Sequence, residues 1–230
     1  MKFPFICVRD IVAFPNSTLN LLIDRKISYD AILLSQAEFK NEILLIVQKK
    51  TEQDKPNSKA DLFNIGTLCR MTGVIRLQDG TVQARFLGLK KFKIKTLDFS
   101  GFPMAEGQLL AKKVTQKTKV TPQEISRLIE LFVRAKPYVV FDEEAHWLKE
   151  VLRAKNNVDL SRVLQSHLNY SNSAGPHLRP WLKKDKKECK WVNKRNILQQ
   201  TILESNQPAD QLSKIRSYLI NEVRSGLANT

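Results

Sequence analysis

Apolar residues change their spacing once along this chain of 230 residues, near residue 115. Ahead of that point they come in short runs of five to ten residues separated by turn signals, the pattern of strands. Behind it they recur every three or four residues, the pattern of amphipathic helices. Strands first and helices afterwards point to an α+β chain. The expected organisation is a mostly-β subdomain with one helix over residues 1–115, then a helical subdomain over residues 120–230.

The strand-like part opens with Phe3 to Val8, passes through Arg9-Asp10, and ends its second apolar run at Phe14-Pro15. Proline fixes φ and lacks an amide hydrogen, so Pro4 and Pro15 are expected to bracket the strand and its turn. A charge so close to buried strands needs a partner, and Arg9-Asp10 reads as a structural pair. Leu19 to Ile23 and Ile43 to Val47 are nearly continuous in apolar residues, which predicts strands buried on both faces. Between them Tyr29, Ile32, Leu33 and Phe39 fall at helical spacing, predicting a helix over Ser28 to Phe39. Lys49 to Asp61 is polar and reads as a surface loop. Leu68 to Leu77 and Thr81 to Leu87 flank Asp79-Gly80, a pair that supplies the positive φ of a tight hairpin. Phe92 to Leu97 and Gly107 to Val114 read as further strands, and Phe5, Phe14, Phe63, Phe86 and Phe92 as core.

In the helical part Thr121-Pro122-Gln123-Glu124 has the form of a capping box with proline at the first helical position. Ile125, Leu128, Ile129, Phe132 and Val133 follow as one stripe, which Pro137 ends. Asp142 is expected to cap a helix carrying Trp147, Leu148, Val151 and Leu152, and Asp159 a helix carrying Leu160, Val163, Leu164 and Leu168. Helical spacing returns at Ile197, Leu198 and Ile202, and again from Pro208 through Leu212, Ile215, Leu219 and Val223, with Gly226 placed as a C-cap.

Several chemistries lack their residues. None of the eight glycines precedes a lysine, so the Gly-Lys-Ser/Thr of a phosphate-binding loop is missing. His146, His167 and His177 form no His-Glu-x-x-His, and Cys7, Cys69 and Cys189 form no Cys-x-x-Cys, so neither a metal nor another cofactor is expected. Three scattered cysteines also argue against a disulfide framework and for a cytoplasmic protein. No apolar run approaches the roughly 20 residues of a membrane helix, and the N-terminus makes a poor signal peptide.

The strings Phe3 to Pro15, Arg25-Lys26-Ile27-Ser28, Ile43 to Lys49, Asn64-Ile65-Gly66-Thr67, Asp79-Gly80-Thr81-Val82 and Gly88-Leu89, in this order and spacing, resemble the N-terminal domain of the Lon ATP-dependent proteases. Val158 to Leu168 and Asn196 to Glu204 are similar to helices of the same region. The family usually carries glycine after the Phe-Pro and a second proline four residues on, where this chain has Asn16 and Asn20. It also has a short connection where this chain has a segment at about 169–193. The resemblance implies a PUA-like β subdomain followed by helices. It implies a non-enzymatic, substrate-recognising role without the ATPase and protease modules, and no catalytic residues. The partners it implies are unfolded or partly folded proteins, or a protease or regulatory partner. A fragment of a longer protease and a stand-alone protein both fit, and the polar ending Gly226 to Thr230 leans toward a natural end.

Two segments are candidate contact surfaces. Phe99, Phe102, Pro103 and Met104 follow Asp98 in a Ser-Gly loop, where large apolar side chains have no periodic reason to be buried, and they are expected to contact protein partners. The second lies in the basic insertion. The net charge of +15 divides as +5 over residues 1–110 and +10 over residues 111–230. Lys183, Lys184, Lys186, Lys187, Lys190, Trp191, Lys194 and Arg195 mix cations with an indole, a pattern suited to the phosphates and bases of RNA. The same segment also reads as a solvated insertion whose tryptophans dock on the helical core. The two readings separate on salt, since phosphate binding weakens steeply as ionic strength rises.

Overall fold

The computed structural model describes residues 1–9, 11–51, 53, 55–111, 119–135, 146–170, 196–205 and 207–227. The chain is α+β, with a mostly-β sheet unit first and helices later. Six strands, β1 (Lys2–Val8), β2 (Thr18–Ile23), β3 (Glu42–Val47), β4 (Ile65–Arg76), β5 (Val82–Asp98) and β6 (Met104–Leu109), run in the order β2-β5-β4-β3-β1-β6. Helix α1 (Lys26–Glu38) lies between β2 and β3 in the chain and packs on β1 and β3.

Strand β6 pairs with β1 on one side and with the second half of β5 on the other, so five strands close into a barrel. The first half of β5 pairs with β2, which stays outside the ring as an edge strand. Closure places Phe5, Leu44, Ile46, Leu62, Leu68, Phe92, Ile94 and Ala105 together as the core. Full burial of one such Phe or Leu side chain contributes roughly 1.5–3 kcal/mol.

Close approach of backbones explains the glycines. A Cβ on Gly88 would lie 2.1 Å from the Phe14 carbonyl oxygen. The Phe14-Pro15 turn lies directly on β5 there, with Asn16 N–H donating to Gly88 O at 2.8 Å and Gly88 N–H to Ser17 O at 2.9 Å. Asn16 takes φ +65°, the left-handed conformation that Asn tolerates better than most residues. Gly80, at φ +83°, turns the β4–β5 hairpin where the Asp79-Gly80 pair predicts it, but of the two residues it alone takes a positive φ.

Several expectations need correction. The runs around Gly88 form one 17-residue strand, because Gly88 serves the contact with Phe14 rather than a turn. Leu19 to Ile23 alternates buried and outward residues, as an edge strand with one covered face should, while β3 is buried on both faces. Pro4 sits inside β1, at an antiparallel pairing with Met104, instead of bracketing the strand. Among the described residues the last strand is Met104–Leu109, starting ahead of the expected Gly107, and the end of the expected strand at Val114 lies outside them.

Among the described residues the later helices are α2 (Pro122–Ala135), α3 (His146–Arg153), α4 (Asn157–Tyr170), α5 (196–204) and α6 (Pro208–Leu227). The expected capping box forms: Thr121 N–H donates to Glu124 Oε2 at 2.9 Å, and Glu124 N–H donates to Thr121 Oγ1 at 3.2 Å. Helix α4 is capped by Asn156, whose Oδ1 accepts from the amides of Val158 and Asp159, and not by Asp159, which sits within its first turn. Leu152 is 64% exposed and leaves the predicted stripe. Gly226 lies inside α6 rather than after it. The helix end expected at Pro137 and the cap expected at Asp142 lie outside the described residues.

The chain divides into two compact units, residues 1–112 with 174–203, and residues 113–173 with 204–230. Residues 196–203 of α5 therefore group with the sheet. Gln200 Nε2 donates to Ile65 O at 2.8 Å, Asn196 Nδ2 donates to Arg9 O, and Leu198, Ile202 and Leu203 are buried. In the other unit Ile125, Leu128, Val151, Leu160, Leu164, Ile215 and Leu219 form the core. Beside it buried Ser161 and half-buried Gln165 and Gln211 share a hydrogen-bond network, with Ser161 Oγ donating to Gln211 Oε1 at 2.6 Å.

Candidate functional site

A period of two along β1 puts Phe5, Cys7 and then Arg9 on one side of the strand. All three line a groove of about 770 Å³ in the sheet unit. Its other walls are the start of α1 (Arg25, Lys26, Ile27), the loop at Lys55, Pro56 and Asn57, and the β5–β6 connection (Phe99, Pro103). The floor is aromatic: the Phe5 and Phe99 rings meet edge to face with centroids 5.3 Å apart.

Each wall is held by local chemistry. In the β5–β6 connection Asp98 Oδ1 accepts from Ser100 N–H at 2.9 Å and from Ser100 Oγ at 2.6 Å, while Phe5 N–H donates to Pro103 O at 3.0 Å. The Ser100 hydroxyl and amide hold the Asp98 carboxyl below its ordinary range. In the opposite loop Asp61 Oδ2 accepts from Ser58 Oγ at 2.8 Å and from the amides of Ser58 and Asn57, which fixes the turn and lowers the Asp61 pKa. At the start of α1, Arg25 Nη1 donates to Gln48 Oε1 at 3.0 Å. Gln48 is fully buried, and its Nε2 donates to Gln53 O at 2.9 Å.

Of the four predicted contact residues, Phe99 and Pro103 line the groove, Phe102 stands 53% exposed between them in sequence, and Met104 opens β6 half-buried. Ile27, on the opposite wall, is 42% exposed. Helix α1 buries Ser28, Ala31, Ile32 and Ser35, and turns Ile27 and Leu33 outward. The signal for Ile27 was present as an apolar residue out of phase with that buried face. The pairing of Arg25 with Gln48 had none, because 23 residues separate them. The basic segment from Lys183 to Arg195, including Trp191, and the Asp10 partner of Arg9 lie outside the described residues.

Burial pushes the Cys7 thiol up to about 12, with Arg25 opposing the shift, so at neutral pH it is a protonated thiol and a poor nucleophile. Burial raises the Cys69 thiol as well. Among the described residues no three His, Cys, Asp or Glu side chains converge to hold a metal ion, and no helix is long and apolar enough to cross a membrane.

Residues 2–174 match the family described as the ATP-dependent protease La (LON) substrate-binding domain. The chain is 28% identical over 176 residues to the Lon protease of Buchnera aphidicola subsp. Schizaphis graminum, and 30% identical over 174 residues to that of Buchnera aphidicola subsp. Baizongia pistaciae. Each alignment covers 73% of this chain and 21% of the relative, so the chain aligns with about a fifth of those proteases. Among solved structures, the N-terminal domain of the Mycobacterium avium complex Lon protease superposes with a TM-score of 0.53 at 14% identity, covering 97% of this chain and 98% of that one. The Lon N-terminal domain protein from Xanthomonas campestris gives the same TM-score at 11% identity, covering 95% and 98%. Both share the fold.

Proposed function

The chain belongs to the family of Lon substrate-binding domains, and from that premise we propose that it is a non-catalytic recognition module. It captures unfolded or partly folded polypeptide in the groove between β1, the start of α1 and the β5–β6 connection. The observation that carries this reading is an aromatic floor, Phe5 and Phe99 with Pro103, with apolar Ile27 exposed on the wall and Phe102, next to Pro103 in the sequence, left in water. Exposed apolar surface around a concave site marks a binding surface. Polypeptide that has lost its own core supplies the apolar side chains such a groove takes.

Phe102 is the residue to test, because Phe99 also stacks on the core and its loss would damage the fold. Phe102→Ser is expected to keep the unfolding midpoint and weaken capture of a reduced, alkylated model protein about five- to ten-fold, or ~1–1.4 kcal/mol. Ile27→Ser should act in the same direction. Unchanged capture in both variants would remove the groove from the recognition surface.

A further inference from the structure

We propose that the free edge of β4 takes the same edge of a second copy of this chain, strand against strand, with the two Ile75 side chains meeting at the two-fold axis. Strand β3 pairs with β4 only from Glu42 opposite Arg70 to Leu45 opposite Thr67, and Met71 N–H donates to Asn41 O at 2.8 Å. Past that point, among the described residues, β4 pairs on one side alone, with the antiparallel β5. Residues 72–76 therefore run on with their other side bare.

The register decides which backbone groups that side presents. Leu77 N–H donates to Thr81 O at 2.8 Å, and Ile75 and Gly73 stand opposite Gln83 and Arg85. Antiparallel residues exchange bonds at every second position, so Gly73, Ile75 and Leu77 direct theirs at β5. Val74 and Arg76, between them, point N–H and C=O outward. Thr72 is the extra residue of a bulge, where the pairing shifts between Met71 and Gly73. A bulge bends its strand and interrupts the ladder, so the usable edge runs from Val74 to Arg76.

That short edge fits itself in one register. Bonding through Val74 and Arg76 places each Val74 opposite the partner's Arg76, and the axis then falls at Ile75. On one face Ile75 meets its own copy, and Leu77 lies over the partner's Gly73. Ile75 is 60% exposed and Leu77 36%. A Cβ on Gly73 would meet nothing within 4 Å, which leaves room for the leucine. On the other face Arg76 stands across from Val74 and not from its own copy, so like charges do not meet directly. Arg70, where the edge begins, is paired with Glu42 at 3.1 Å. A foreign strand could make the same main-chain bonds, but nothing would match its side chains to the spacing of Gly73, Ile75 and Leu77.

The charge of the whole chain acts the other way. Two copies at +15 repel at long range, and salt screens that repulsion. The contact is also small, so association is weak and shows at high concentration.

The test is sedimentation velocity of the full chain from about 5 to about 500 µM, in about 0.5 M salt. The weight-average mass is expected to climb toward twice the monomer's, and to climb less in dilute salt. Ile75→Lys sets like charges face to face and should leave a folded monomer, with its far-UV circular dichroism unchanged. Leu33→Lys, at a side chain 45% exposed on α1, makes the same change in net charge and should keep the dimer. Val74→Pro removes an outward N–H without touching the bonds to β5, and should weaken association about five-fold or more. Ile75→Cys should link to its own copy on mild oxidation, since facing residues of a non-hydrogen-bonded pair stand about 4.5 Å apart, within reach of a disulfide. Arg76→Cys should link no more than the native thiols do. A native chain that stays monomeric at every concentration and salt overturns the proposal. If that monomer loses capture of a reduced, alkylated model protein on Ile75→Lys, the edge serves foreign polypeptide instead. A dimer that survives Ile75→Lys, or that Leu33→Lys dissolves equally, also overturns it. Linkage at Arg76→Cys with none at Ile75→Cys overturns the register and the pairing built on it.

Discussion

The sheet unit and the helical unit are specified by different kinds of residue. In the sheet unit the decisive positions are those where distant stretches of backbone touch: Gly88 against Phe14, Gly66 against Leu45, Gly107 against Lys93. In the helical unit they are local: Thr121 and Glu124 opening α2, Asn156 and Asp159 opening α4, and stripes three or four residues apart. A barrel packed backbone on backbone has no room for one methyl group, whereas a helix loses a cap and only frays.

That contrast predicts its own largest effect. Gly88→Ala places a Cβ 2.1 Å from the carbonyl oxygen of buried Phe14. The unfolding midpoint in urea should fall by an amount equivalent to roughly 1–3 kcal/mol or more. A variant as stable as the native protein would show that the turn gives way easily, and the sheet unit would lose its distinction. Thr121→Ala should cost less, about 1 kcal/mol, since it removes one capping hydrogen bond from an exposed helix end. Thermal unfolding followed by far-UV circular dichroism measures it, and a loss larger than that of Gly88→Ala would invert the comparison.

The smallest effect is a pH response in the β5–β6 connection. The Asp98 carboxyl is held below its ordinary value of 3.8 by its bonds from Ser100. Its stabilising contribution is complete above the ordinary value and disappears as the pH falls through the lowered one. The Ser100 amide resonance should therefore hold its position down to mild acid and then shift. Asp98→Asn should lack the acid transition, and a shift retained in that variant would assign it elsewhere.

Local signals were legible in the sequence and non-local ones were not. The Asp79-Gly80 hairpin, the Thr121-Glu124 box and the start of the last helix at Pro208 each rest on a few adjacent residues, and all three stand where the pattern puts them. Gly88 looked like punctuation because glycine breaks strands as well as admitting close neighbours, and the neighbour, Phe14, is 74 positions away in the chain. Asn156 lost its role to Asp159 because either residue type caps a helix. Ser28 and Ser35 hid the inner face of α1. Polar in sequence, they are buried, with Ser35 Oγ donating to Glu42 O at 3.0 Å, while apolar Ile27 faces water. Phe99, Phe102 and Pro103 were legible as candidates because they interrupt a turn-forming loop. The other walls of the groove draw on residues 9, 25, 26 and 55, whose meeting depends on the fold.

The order in which the chain is made has a consequence for how it reaches this fold. Strand β1 pairs Lys2 with Glu106, so on a ribosome the first strand waits for more than a hundred residues before its last neighbour exists. The ring cannot close earlier. Even then residues 196–203 of the same unit have yet to appear, because all of 113–173 is translated before them. Pairings so far apart fold slowly and leave apolar edges bare in the meantime. A domain whose family recognises other polypeptides thus passes, during its own synthesis, through a state in which its first strand is itself an exposed apolar segment.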